Sequence, residues 1–395
     1  MTTHRPVLIA GGGIGGLTAA IALDREGIES HILERSTFAE ESGAGIQLGP
    51  NATRILQRLG VLDALNPQTF RPEAVWLFDG RNGDKLATVP LGDLAEKRYG
   101  APYITAHRAD LHEALRTVAA GCAHVSLTTE FTVADIRDED GVSVTGSNGE
   151  TQHGSLLVGA DGLWSTVRGW VAPGLAPSFT GATAFRSLMP RDALPEPFSA
   201  PIVGLWLGPR SHLVHYPVRG GDAVNVVAVT EQGDKQEGWN RSAEKETVLS
   251  NFARWSDAPL GLMDAAPSWR AWSLFRLPAL PHWSRGATVL LGDAAHPVLP
   301  YLAQGAGLAI EDAAKLAELL GANRAQPSHA FQAYEALRRP RATRVQQASK
   351  RLGRAYHMGD GFFGEVFRAA RNTILGLRSE TATLRGFDWL YGHEG

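Results

Sequence analysis

Gly11, Gly13 and Gly16, spaced G-x-G-x-x-G, stand between an apolar run at 7–10 and a segment of helical periodicity at 14–25, and nothing else constrains the fold as tightly. The apolar run at 30–33 predicts a second strand, so the chain opens with one strand–helix–strand unit of a Rossmann-like α/β sheet. Each glycine has a physical task. Gly11 allows the tight turn, Gly13 lets backbone approach a pyrophosphate, and Gly16 lets helix and strand pack closely, with Gly15 in the same turn. The first N–H groups of the helix are free to meet phosphate oxygens. Glu34, about 20 residues farther on at the end of the second strand, is placed to accept hydrogen bonds from a ribose. A bare G-x-G-x-x-G also describes a glycine turn with no ligand, but strand, helix and terminal acid together point to a bound dinucleotide, with FAD and NAD both open.

At 395 residues the chain has room for two domains, each burying its own core, on a prior of ~150 residues per domain. The net charge of -3 offers no basic surface for nucleic acid. A single cysteine, Cys122, excludes an internal disulfide framework and any cysteine-based zinc or iron–sulfur site, and fits a reducing compartment; cytoplasm is the expectation. Residues 7–23, following His4 and Arg5, have the outline of a signal peptide. Their five glycines weaken such a helix, and no other run reaches the ~20 apolar residues of a membrane span, so a soluble protein is expected.

Farther along, 107–119 reads as a helix with Leu111, Leu115 and Val118 on one face. Between 131 and 158, three alternating runs split at Asp140-Gly141 and Asn148-Gly149 predict an antiparallel meander. Strands are expected at 202–207, 212–218 and 223–230, the last two joined through Arg219-Gly220-Gly221-Asp222. This middle block, 179–275, reads as a sheet-based substrate domain inserted into a dinucleotide domain made of 1–178 and 276–325. That second part begins with a buried strand at 287–291 and a helix over 304–320 ending at Gly321. The remainder, 326–395, reads as a helical tail in which Pro340 should break or kink a helix.

Three further segments bear on which dinucleotide is bound. They are His107-Arg108-Ala109-Asp110-Leu111 at a helix start, Gly159-Ala160-Asp161-Gly162 followed by Ser165 and Arg168, and Gly292-Asp293-Ala294-Ala295-His296-Pro297 after a strand. An acid at such a strand end, as Asp293 is, can accept hydrogen bonds from a polyol chain such as ribityl, which only a flavin supplies. The helix starting near Gly305 and Ala306 would aim its positive end at the flavin pyrimidine, where charge collects on reduction. In this order and spacing, together with Gly43-Ala44-Gly45-Ile46-Gln47-Leu48-Gly49-Pro50-Asn51, the motifs resemble the class A flavoprotein monooxygenases over nearly the whole chain, in particular the salicylate hydroxylase and 3-hydroxybenzoate 6-hydroxylase group.

That resemblance implies a non-covalent FAD touched by Gly13, Glu34, Arg35, residues 44–47 including Ala44, Gly45 and Gln47, Arg108 and Asp293. It gives Asp161 a part in both the flavin domain and the reductant step. It implies NADH or NADPH as a transient reductant without a second nucleotide domain, and O2 as co-substrate. The implied reaction passes an oxygen atom activated on the reduced flavin to an electron-rich aromatic ring, and a base at the substrate hydroxyl makes that ring more nucleophilic. His212 and Tyr216 resemble the histidine and tyrosine that touch the phenol in the 3-hydroxybenzoate enzymes. Read without the resemblance, they are a surface residue and a core residue of one strand, ~13 Å apart. His215 should point to the other face, and His296 reads as a loop anchor. One Asp and one His do not make a metal site, so no metal is expected.

Arg186 is suited to a substrate carboxylate or to an ion pair between domains. Pro300 before Tyr301 departs from the 3-hydroxybenzoate pattern and matches salicylate hydroxylase-like chains, and Gln47 stands where 6-hydroxynicotinate enzymes carry histidine. A phenolic or hydroxyaromatic acid is therefore expected, with salicylate the leading single substrate and 3-hydroxybenzoate or 6-hydroxynicotinate the alternatives. A flavin oxidase or dehydrogenase without oxygen insertion, and a flavin-binding sensor, are the competing classes. A homodimer is the family-level expectation.

Overall fold

The computed structural model describes residues 5–38, 44–231, 241–359, 361–376 and 379–394. Gly43, quoted above in the second motif, lies outside them. The opening unit forms as its sequence dictates, with strand Val7–Ala10, helix Ile14–Arg25 and strand Ser30–Leu33. Val7–Ala10 is fully buried and pairs in parallel with Ser30–Leu33 on one side and Leu156–Gly159 on the other. Val125–Thr128 and Thr288–Leu290 extend this sheet in parallel at either end, with the short Ser284–Arg285 antiparallel at the rim. Helices Ile14–Arg25 and Gly305–Ala322 pack against one another beside it.

The meander is shorter than its sequence suggests. Val133–Asp138, Val142–Gly146 and Thr151–Gly154 make a three-stranded antiparallel sheet, but Leu156–Gly159 leaves it for the parallel sheet. Ser155, whose N–H donates to the Pro6 carbonyl, marks the change without any turn dipeptide.

The middle block builds most of an eight-stranded sheet, in which Ser211–Val218 and Ala223–Thr230 form the expected hairpin in unbroken register. Two of its strands come from elsewhere. Ala74–Asp79 pairs in parallel with Val203–Gly208, and Lys85–Pro90 follows it as the last strand, so the sheet is not confined to 179–275. Nor do the two halves keep separate cores. Leu77, Leu205, Tyr216 and Val218 on one face join the same apolar cluster as Leu8, Ile9 and Leu17 of the parallel sheet. Phe78, Trp206, Leu213 and Val226 on the other face pack with Phe252, Trp255 and Met263. The sheet is thus covered on both faces, and one continuous core links it to the opening unit.

Helix Pro327–Tyr356 runs 30 residues across Pro340, so the helix is not broken there. The turns around the proline are anchored from outside. Arg338 donates to Asp312 (2.8 Å) and Glu311 (2.6 Å), and Arg341 donates to Glu311 (2.9 Å), all buried. Those charge-assisted bonds hold the helix where proline removes one backbone bond. Helix Gly305–Ala322 likewise continues past Gly321. The tail ends in helices Gly361–Gly376, Glu380–Arg385 and Asp388–Tyr391, the first two of which lie along the outer strand Lys85–Pro90. Among the described residues, no helix is long and apolar enough to cross a membrane.

Candidate active site

Two regions carry the polar residues singled out above, and they meet at the large sheet. In the glycine turn, Gly11 has φ +102°, and a Cβ there would lie 2.6 Å from the Ala160 carbonyl oxygen. A Cβ on Gly16 would lie 1.9 Å from the Gly11 carbonyl oxygen, and one on Gly15 would strike Leu291. Gly13 is different, because a Cβ there meets nothing within 4 Å among the described residues. The first intrahelical bond runs from Leu17 to Gly13, so the preceding N–H groups open towards that space. Glu34 closes the turn, accepting from the Gly12 N–H (2.6 Å) and from Ser36 (2.8 Å), while Arg35 is exposed beside it.

Asp293 stands in the short turn that follows strand Thr288–Leu290. Its side chain reaches open space, although protein hems it in elsewhere and that burial pushes its carboxyl up, against the pull of His296, Arg108 and Arg168. The loop bearing it is pinned by Asp312, which accepts from the Gly292 N–H (3.0 Å) and from His296 Nε2 (2.5 Å). Arg168, missed as a tie, joins the two strand-end motifs by donating to the Leu163 (2.7 Å) and Ala294 (3.2 Å) carbonyls. Asp161 caps a short helix by accepting from Thr166 (2.7 Å) and Val167 (3.1 Å), while its other oxygen is buried without a partner among the described residues. The Arg108 N–H donates to the Ala44 carbonyl (2.8 Å) at one end of strand Gly45–Leu48, and half-exposed Gly305 and Ala306 begin their helix nearby. Backbone donors at Gly13, the acids Glu34 and Asp293 and the N-terminus of helix Gly305–Ala322 are the donor and acceptor set an FAD requires, and these residues could hold one.

The second region is one face of the large sheet. Its register pairs His212 with Val229, Val214 with Val227, and Tyr216 with Asn225; one strand farther, Ala184 pairs with Val229 and Arg186 with Val227. Residues paired in this way share a face. Val214 and Val227 are half-exposed amid buried neighbours, so they form an apolar floor. His212 and Tyr216 flank that floor along the strand, and Arg186 stands across it with its guanidinium 3.5 Å over the Trp272 ring. No bulge brings His212 and Tyr216 closer, so they serve opposite ends of the floor.

Tyr216 meets Gln47 and Asn225, and burial pushes its phenol up, leaving it a neutral donor. Asn225 also accepts from the Gly45 N–H (2.8 Å), and Tyr103 donates to Gln47 (2.7 Å), which ties this face to the flavin-loop strand. At the other end, the His212 ring lies 5.4 Å from Tyr301 and 5.7 Å from Tyr356, with Pro300 exposed at the rim. His215 points to the opposite face against Phe198 (5.0 Å), as strand alternation requires. Asn225 was legible in principle, being the lone polar residue inside an apolar strand and opposite Tyr216 across the hairpin. His357, which meets His212 at 2.8 Å, carries no such signal.

The sequence pattern of a family described as "FAD binding domain" matches residues 4–349. A 3-amino-4-hydroxybenzoate 2-monooxygenase of Streptomyces platensis is 39% identical over 100% of this chain and 98% of its own. A 3-hydroxybenzoate 6-hydroxylase of Klebsiella oxytoca is 36% identical over 98% of this chain and 96% of its own. The chain belongs to this family of FAD-dependent aromatic monooxygenases. The fold of the monooxygenase agrees, since a salicylate hydroxylase substrate complex superposes with TM-score 0.79 over 98% of each chain at 24% identity. FAD is the cofactor of the monooxygenase.

Proposed function

We propose that this monooxygenase hydroxylates a one-ring phenolic carboxylic acid of the hydroxybenzoate type, at the expense of NADH or NADPH and O2. The observation that carries the reading is the sheet face on which a neutral imidazole, a neutral phenol and a guanidinium surround the Val214–Val227 floor. A benzene ring fits an apolar floor, a carboxylate fits Arg186, and a ring hydroxyl fits His212 or Tyr216. Bound in its cleft, FAD supplies reduction by the nicotinamide and activation of oxygen for transfer to the ring.

The chain's own residues do the rest. Burial and the neighbouring His357 push the His212 imidazole well below its usual range, so at neutral pH the ring is neutral and can accept a hydrogen bond from the phenol, while a proton taken from it needs a further acceptor. Tyr216 donates to the substrate's other polar end, and Arg186 orients the acid. Tyr301 and Tyr356 wall off the His212 end from water. Gly11, Gly13, Gly15, Gly16, Glu34, Arg35, Ala44, Gly45, Gln47, Arg108, Asp161, Asp293, Gly305 and Ala306 are proposed to shape or contact the FAD cleft, Gly15 through packing on Leu291. We place the enzyme in the cytoplasm, as a homodimer, on the single cysteine and the family resemblance.

The test is oxidation of NADH and NADPH by FAD-loaded protein with 3-amino-4-hydroxybenzoate, 3-hydroxybenzoate, salicylate and 6-hydroxynicotinate, assaying product and peroxide. One hydroxybenzoate should stimulate oxidation and emerge hydroxylated, while benzoate should not. Reduction with peroxide in full yield and no hydroxylated product from any acid would replace this reading with a flavin oxidase.

A further inference from the structure

We propose that His357 and Glu231 form a proton relay that carries the substrate's phenolic proton from His212 to solvent. The inference rests on the reading of His212 as the base at the substrate hydroxyl. A hairpin and a helix distant from it in sequence meet to make it: strand Ser211–Val218, the end of strand Ala223–Thr230, and the end of helix Pro327–Tyr356. His212 Nδ1 lies 2.8 Å from His357 Nε2, and His357 Nδ1 lies 2.7 Å from Glu231 Oε1. Both imidazoles are buried, whereas the Glu231 side chain is 43% exposed, so the row of bonds leads from the sheet face to water.

The row has a definite direction when both rings are neutral. A carboxylate only accepts, so the proton of a neutral His357 sits on Nδ1 and its Nε2 is a lone pair. His212 Nδ1–H then donates to that lone pair, which leaves His212 Nε2 as a lone pair for the substrate hydroxyl. Hydrogen bonding to His357 holds the Glu231 carboxyl below its usual range, so the acceptor end is ionised. Backbone bonds fix the register, since the Arg210 N–H donates to the His357 carbonyl (3.0 Å) and the Glu231 N–H donates to the Arg210 carbonyl (2.9 Å). Among the described residues, the other titratable or charged groups facing the row are Tyr301 and Tyr356 at His212, Tyr301 at His357, and Arg210 at Glu231. None of these competes for the proton, because burial pushes both tyrosines up and Arg210 is a cation.

Burial makes His212 a poor place to keep a positive charge, so a proton taken there must move on. In the transfer, the substrate O–H bond breaks as His212 Nε2–H forms. The Nδ1 proton of His212 passes to His357 Nε2, the Nδ1 proton of His357 passes to Glu231, and Glu231 releases it to water. Both rings end neutral with their tautomers exchanged, and no electrons change hands. The reverse passage protonates the product oxygen and restores the starting tautomers.

The FAD-loaded enzyme, bound to the chromogenic phenol 3-hydroxy-4-nitrobenzoate, is jumped in pH while phenolate absorbance is followed. Glu231→Gln, a half-exposed isosteric change, and His357→Gln should each slow phenolate formation at least about tenfold, with the probe's Kd moved less than about threefold. Glu231→Asp should recover most of the rate, which a merely structural contact would not explain. Wild-type rates in both variants, with binding intact, overturn the relay and leave His212 as the base. A wild-type enzyme that leaves the probe as phenol, or a His212→Gln variant that ionises it at the wild-type rate, overturns the base reading and the relay with it.

Discussion

Arg186 holds its charge against the face of Trp272, and burial lowers its guanidinium only to about 10, so it is cationic at any working pH. If it receives the substrate carboxylate, Arg186→Gln should remove a charge-assisted bond of ~1.5–3 kcal/mol and raise KM for a hydroxybenzoate about 10- to 100-fold. Steady-state kinetics should show KM for the matching phenol without a carboxylate unchanged, and FAD retention unchanged. Asp312 offers a second test at this scale. Burial opposes its ionisation, but His296 and Arg338 outweigh that and hold its carboxyl at about 2. Its folded value lies below the unfolded value near 4, so the ~2 kcal/mol it contributes is complete above about pH 4 and lost as pH falls towards 2. Urea midpoints measured between pH 5 and 2.5 should fall steeply in the wild type and less steeply in Asp312→Asn.

The glycine turn shows how an element imposes its own substitution rules. Gly16→Ala would press a methyl group into the Gly11 carbonyl, and it should destabilise the protein by roughly 3 kcal/mol by thermal or urea unfolding. Gly13→Ala, with open space around it, should fold normally and yet bind FAD at least about tenfold more weakly by flavin fluorescence. This turn was legible from sequence because glycines punctuate it and its contacts are local. So was the hairpin carrying His212 and Tyr216, since Arg219-Gly220-Gly221-Asp222 sets its register and thereby places Asn225 opposite Tyr216. What was hidden depends on distant partners. Arg81-Asn82-Gly83-Asp84 signals a turn, but nothing local says that Ala74–Asp79 will pair with Val203–Gly208. Pro340 reads as a helix breaker until Glu311 and Asp312, on another helix, hold Arg338 and Arg341. His357 looks like any residue at a helix end until the fold sets it beside His212.

At the scale of the whole molecule, the C-terminal segment is a strap across the flavin side. Arg341 donates to the Trp389 (2.8 Å) and Leu390 (3.0 Å) carbonyls, Arg98 pairs with Asp388, and Tyr391 packs on Gly49 and lies 5.9 Å from Tyr103. Removing residues 379–395 should lower Tm by several degrees and weaken flavin retention on gel filtration, because the 44–49 loop loses its backing. The same tail has another office at the far side of the large sheet, where helices Gly361–Gly376 and Glu380–Arg385 lie along Lys85–Pro90. An uncovered outer strand is a template for any passing chain. During synthesis that strand emerges long before the helices that shield it, so every nascent copy passes through a period in which it can stick to its neighbours. The yield of this enzyme in a crowded cell should therefore depend in part on how quickly the ribosome reaches those helices.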